Sequence, residues 1–271
     1  MTTLISRPIR AAASGSPDRF AGLGALVGKD ALEWRRGRRA WVILVISVVW
    51  MTLTAAAGWF NTRVREMISG ELPADVPVHL DPMNNLIPAV SGQIFLLAAI
   101  FAVASLLARE RETGTLAWVA SKPISRGSMW LSKWISSTLI LAVVAVLVPI
   151  AASVALVVVL YGPVDPGIVI VLTAGALMAV AFYTALGLAA ATALPGQTGV
   201  IAVGLAVLVL VPALAGLVPF AIAPYLPTSI LQWAIGLASG ADVGWVTPVA
   251  WLVATVALVI VGMRRLERIE L

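Results

Sequence analysis

Along most of this chain apolar residues come in uninterrupted blocks, set apart by short polar or Gly/Pro-rich breaks. Six blocks stand out, at residues 40–60, 86–108, 134–160, 168–193, 198–218 and 246–263. About 20 apolar residues in a helix cross the hydrocarbon core, and lipid offers an unpaired backbone no hydrogen bonds. The pattern therefore predicts an all-α membrane protein with six transmembrane helices. Ahead of the first block, Phe20, Leu23, Leu26, Val27, Ala31 and Trp34 recur at three-to-four spacing, with Lys29, Asp30, Glu33 and Arg35 elsewhere on the helix. That spacing predicts an amphipathic interfacial helix over 20–39 that feeds the first span.

The breaks differ in kind. Residues 61–85, with Glu66, Glu71, Asp75 and Asp81 and three prolines, read as a solvated connector, and 161–167 and 195–197 as tight turns. Residues 219–245 hold Pro219, Pro224, Pro227 and a single charge, Asp242. Too apolar for water and too broken to span, they predict short re-entrant or interfacial helices at the outer face, with Trp233 and Trp245 at headgroup level. The Ser/Pro/Ala/Gly-rich residues 1–19 predict a mobile tail, and 264–271 a basic C-terminus after the transmembrane domain of 40–263.

Composition agrees: 61% of residues are hydrophobic, 11% are charged and the mean hydropathy is +1.01, whereas a soluble domain carries about 25% charged residues. The net charge of +5 and pI near 10.2 would fit a nucleic-acid partner, but the distribution points to lipid. Arg7, Arg10, Arg19, Lys29, Arg35, Arg36, Arg38 and Arg39 precede the first span. Arg109, Arg111, Lys122, Arg126 and Lys133 lie between the second and third, and Arg264, Arg265 and Arg268 follow the sixth. Only Arg63 and Arg65 of the 18 basic residues fall on the other side. By the positive-inside rule both termini are cytoplasmic, and the basic charge contacts anionic headgroups rather than nucleic acid.

Chemistry is sparse. Cysteine is absent, and the lone histidine, His79, falls in a connector. No expected span carries Asp, Glu, Lys, Arg or His, which argues against a proton-coupled carrier. No paired carboxylates or Ser/His/Asp set marks an enzyme, and no metal or cofactor site is expected. Gly22, Gly24, Gly28 and Lys29 imitate a phosphate-binding loop, but their spacing departs from Gly-x4-Gly-Lys and Asp30 replaces the Mg²⁺-binding hydroxyl. Hydroxyls such as Ser47, Thr138, Ser153 and Thr184, with small residues at four-residue spacing, suit helix packing.

One polar segment is dense in charge: Arg109-Glu110-Arg111-Glu112-Thr113-Gly114-Thr115-Leu116, continuing through Lys122-Pro123-Ile124-Ser125-Arg126 to Lys133. Thr113 or Thr115 would cap a short helix through Ser121, and Gly114 permits a tight reversal. Leu116, Trp118 and Val119 would give that helix an apolar face. Pro123 would stop it, and Ser125 would cap the next helix, from Arg126 into the third span. The result is a short helix standing off the cytoplasmic face with carboxylates at its base.

Glu112-Thr113-Gly114-Thr115-Leu116, then Lys122-Pro123-Ile124-Ser125-Arg126, then Lys133 resembles the signature that follows the second span of ABC-2 type permeases, with Ser132-Lys133 where Gly-Lys is usual. The six-span topology, the interfacial helix and the broken helices before the last span are similar too. The resemblance implies a plasma-membrane subunit of bacteria or archaea, paired with a second permease copy or homologue and bound to two copies of a separate ATPase that holds ATP and Mg²⁺. It implies that 113–121 is a cytoplasmic coupling helix. Glu110, Glu112, Thr113, Gly114, Thr115, Leu116 and Trp118 would lie at the ATPase contact, beside Lys29, Glu33 and Arg36 of the interfacial helix. The expected function is ATP-driven export of a lipophilic or amphipathic substrate. The alternatives are a permease for assembly or maturation of a cofactor or metalloenzyme, and a scaffold or lipid-handling protein that uses no ATP.

Overall fold

The structure is a computed structural model and describes residues 22–69, 81–91, 99–100, 103, 107, 110, 114, 125–194, 196–214, 222, 225–226 and 229–268. Among them the regular elements are helices: α1 (Leu23–Arg36), α2 (Arg38–Ser69), α3 (Pro82–Ser91), α4 (Arg126–Tyr161), α5 (Pro166–Ala193), α6 (Gln197–Leu214), α7 (Ser229–Ala238) and α8 (Val246–Arg268). Helices α2, α4, α5 and α8 are long and apolar enough to cross a membrane, matching the first, third, fourth and sixth expected spans. Helix α6, a shorter apolar helix, overlaps the fifth over residues 198–214. Of the second, residues 86–91 belong to α3, and Ala99, Ile100, Val103 and Leu107 are helical and buried. The 1–19 tail, His79 and most of 219–228 lie outside the described residues.

Three boundaries depart from the hydropathy pattern, for one reason: apolar runs mark where lipid ends, not where helical hydrogen bonding ends. Helix α2 continues past Phe60 to Ser69, so residues 61–69 are not the connector expected there. Thr62 Oγ1 donates to the Gly58 carbonyl at 2.9 Å, Arg63 pairs with Glu66 at 2.8 Å, and the Arg63 guanidinium lies over Trp59. Asn85, placed in the same connector, is inside α3. Helix α4 starts at Arg126, ahead of its apolar run. As expected, Ser125 caps it, its Oγ accepting from the Ser128 N–H at 3.0 Å. At the next turn Asp165 accepts from the Gly167 N–H, and Pro166 opens α5.

Inside α4, residues Ala142–Leu147 form one widened π turn. Pro149 follows within the rod; it has no N–H to give and its ring crowds the carbonyl four residues back, so the wider turn accommodates it.

Helix α5 lies at the centre, packed on α8, α7, α6 and α4. Small residues set its contacts: a Cβ at Gly175 would collide with Ala234 of α7, so those two helices touch nearly backbone to backbone. Phe182, Tyr183 and Trp251 interlock between α5 and α8, and Thr138 and Thr184 bond across α4 and α5 at 2.8 Å. The outward faces stay apolar, with Trp41, Val45, Val49 and Leu53 exposed on α2 and Leu252, Val253 and Val256 on α8. At one end of the bundle Tyr161 enters the ladder of α2: its Oη accepts from the Trp59 N–H at 2.8 Å and donates to the Ala55 carbonyl at 2.9 Å. An uninterrupted α-helix would join those two groups to each other.

Candidate functional site

At the opposite end α1 packs along the first turns of α4. Every fourth residue of α1, Leu26, Asp30 and Trp34, faces inward. The sequence reading put Asp30 among the charges outside the apolar stripe; the structure puts it within the stripe, at 7% exposure. On the facing helix Ser128, Ser132 and Ser136 recur at the same spacing, all buried, and Lys133 beside them is 7% exposed. Nothing in the apolar count distinguishes Lys133 from an orienting surface charge. Its register on α4, fixed once the helix begins at Arg126, turns it into the bundle.

These side chains form one ionic joint. Lys133 Nζ lies 2.7 Å from Glu110 Oε1 and 4.0 Å from Asp30 Oδ1, and Ser132 Oγ donates to Asp30 Oδ2 at 3.1 Å. Three parts of the chain remote in sequence thus meet at one ammonium: α1, Glu110 and the start of α4. Burial pushes the Asp30 carboxyl above its ordinary range, while the Lys133 ammonium and the Ser132 hydroxyl pull it back. A buried pair of this kind adds little net stability while intact, but removing one partner costs about 3–5 kcal/mol, because the other charge is left unpaired. The joint therefore registers the relative position of its three segments.

Around it Leu26, Val103, Leu107, Met129, Trp130, Leu188 and Leu266 pack as an apolar cluster. Helix α8 closes the site: Gly262 leaves room for the Trp130 indole, and Arg126 donates to the Glu267 carbonyl at 3.3 Å.

Of the residues singled out from sequence, Glu110 enters the joint, and Gly114 adopts the left-handed φ of 70° that its expected reversal requires. Lys29 and Glu33 pair with each other at 3.3 Å, each about half exposed, and Arg36 is exposed. Glu112, Thr113, Thr115, Leu116 and Trp118 lie outside the described residues. Asp30 is the addition; Ser132 and Lys133 closed the signature in the sequence but were given no role at the site. The four-residue spacing of Leu26, Asp30 and Trp34 was the available signal, since it sets an acid between two buried apolar residues.

A protein-family model described as "ABC-2 family transporter protein" matches residues 25–271, from within α1 through α8 to the C-terminus. No match was found among curated proteins.

Proposed function

The chain belongs to the ABC-2 transporter family, and on that premise we propose that it is the permease subunit of an ATP-driven exporter. It spans the plasma membrane of a bacterium or archaeon six times, with both termini in the cytoplasm. Paired with a second permease, it receives work from two copies of a separate ATPase that bind ATP and Mg²⁺. The substrate is lipophilic or amphipathic, in keeping with apolar spans whose polar groups are hydroxyls, amides and ring N–H donors.

The observation that carries the reading is the joint of Glu110, Lys133 and Asp30. Glu110 stands at the base of the charged segment where the ATPase is expected to seat. A displacement of that segment pulls on Lys133, hence on α4, and through Asp30 on α1. Coupling thus reaches a span and the interfacial helix at once, without an ionisable group at membrane depth.

Purification from native membranes in mild detergent, with bound partners identified and ATP hydrolysis assayed, tests this. A stoichiometric ATPase that is lost when residues 110–116 are altered is the expected outcome. Glu112→Lys is expected to lower transport-coupled hydrolysis with membrane insertion intact. A lone protein indifferent to ATP would overturn the reading in favour of a scaffold or lipid-handling role.

A further inference from the structure

The inward stripe of α1, formed by Leu26, Asp30 and Trp34, has two flanks with different surroundings. At 100° per residue, Lys29, Glu33 and Arg36 fall on one flank and Ala31 and Arg35 on the other. Ala31 and Arg35 line a groove of about 460 Å³, walled on its other sides by Trp41 and Leu44 of α2 and by Leu139 and Val143 of α4. Val143 belongs to the widened π turn of α4. Trp41, Leu139 and Val143 are exposed, so the groove opens toward the bilayer rather than into the bundle.

Charge at the groove has one sign. Among the described residues Arg35 is the only charged side chain in its wall, and no carboxylate lines it. Arg38 stands one turn before Trp41 on α2. Both arginines are exposed, and neither has an ion pair or a side-chain hydrogen bond among the described residues. Lys29 and Lys133 differ, their ammonium groups being taken up by Glu33 and Glu110. Unpaired cations at the water end of an apolar groove, beside a tryptophan at headgroup level, match a phosphate ester on a hydrocarbon chain. We propose that the groove holds one anionic glycerophospholipid of the leaflet on the basic side. Its phosphate pairs with Arg35 and Arg38, and one acyl chain lies between Trp41, Leu139 and Val143. A zwitterionic lipid would bring an ammonium to a mouth that has no carboxylate to receive it. Diffuse attraction would serve any exposed basic residue equally, Arg264 and Arg265 of α8 included; the groove assigns the role to Arg35 and Arg38. The bound lipid spans α1, α2 and α4 on one flank of α1 and leaves Lys29, Glu33 and Arg36 on the other. It rests on the membrane setting alone, not on export or on an ATPase.

The test is native mass spectrometry of the full-length protein, delipidated in mild detergent and given phosphatidylglycerol or phosphatidylethanolamine. One phosphatidylglycerol per chain is expected to be retained, about tenfold more tightly than phosphatidylethanolamine. Arg35→Gln with Arg38→Gln is expected to erase that preference, whereas Arg264→Gln with Arg265→Gln is expected to keep it. Leu139→Trp and Val143→Trp, which fill the groove separately, are each expected to lower retention of both lipids about tenfold while eluting as the parent does. Equal retention of the two lipids by the parent would overturn the proposal. So would a preference lost as fully in the α8 pair as in the Arg35 and Arg38 pair, which is diffuse attraction, or both groove-filling variants holding phosphatidylglycerol like the parent.

Discussion

Helix α4 is fastened near each end, by different means. Near its start Lys133 draws in Glu110 and Asp30, a buried ionic joint with two acids on one base. At its far end Tyr161 uses one neutral hydroxyl to bridge the Trp59 N–H and the Ala55 carbonyl of α2, above the apolar contact of Ala55, Ala89 and Val157. The neutral joint is inexpensive to keep and inexpensive to lose, because the two α2 groups are natural partners of each other. The ionic joint has no such fallback at its centre: if Lys133 leaves, Asp30 and Glu110 lose the one cation they share. Under the proposed function one end is the anchor and the other the point where displacement is felt, and the second end carries Glu110 of the charged segment.

The sharpest way to break the contrast is Lys133→Met. The buried Asp30 and the partly buried Glu110 lose their cation, and a loss of about 3–5 kcal/mol is expected, read as a large fall in the apparent melting temperature of the detergent-solubilised protein. Neutralising the whole joint with Asp30→Asn, Glu110→Gln and Lys133→Met together is expected to restore most of that stability while leaving coupled activity low. If the triple variant is as unstable as the single one, unpaired charge is not the cause.

Tyr161→Phe is the matching change at the far end. The Trp59 N–H and Ala55 carbonyl re-form their bond, so a loss of about 1 kcal/mol is expected, independent of salt and pH. A loss as large as that of Lys133→Met would erase the distinction between anchor and sensor.

Asp30→Asn sharpens the comparison through pH. The Asp30 carboxyl is raised by burial, so its proton is held more tightly in the folded state than in the unfolded one. Its stabilising contribution is then complete below the ordinary value of 3.8 and is lost as pH rises through the raised folded value. Asparagine mimics the protonated form and keeps an acceptor for Ser132. The variant is therefore expected to equal or slightly exceed the parent near neutrality, the gap closing as pH falls toward 3.8. Melting curves at several pH values measure it; a gap that widens on acidification would show that Asp30 acts chiefly as an ion-pair partner.

The helical bundle was legible because lipid forces long apolar runs into helices, and α5 and α8 follow those runs closely. What hydropathy missed lies where helices leave the lipid: α2 keeps its ladder through Arg63 and Glu66, whereas the start of α4 at Arg126 was legible from the Ser125 cap rather than from the apolar run. The charged segment stood out in the sequence as a candidate, and of it Glu110 enters the joint. The joint was not, because it depends on which way Asp30 and Lys133 face, and facing follows from the register of two helices that meet only in the fold. Tyr161 gave no signal either: it opened the stretch 161–167 read as a tight turn, whereas it is the last residue of α4.

The smallest expected effect belongs to the pair nearest the joint in sequence. Lys29 and Glu33 stand one turn apart on α1 at 3.3 Å, flanking Asp30, yet each is about half exposed. Solvent screens such a pair, and holding two long side chains together costs entropy, so Lys29→Ala is expected to change stability by about 0.5 kcal/mol or less. What it can change is the outer face of α1, where Lys29, Glu33 and Arg36 are proposed to meet the ATPase. Lower coupled hydrolysis in a variant that melts with the parent would place those residues in a contact with the partner. Unchanged hydrolysis would confine the sensing end of α4 to the buried side of α1, where Asp30 is.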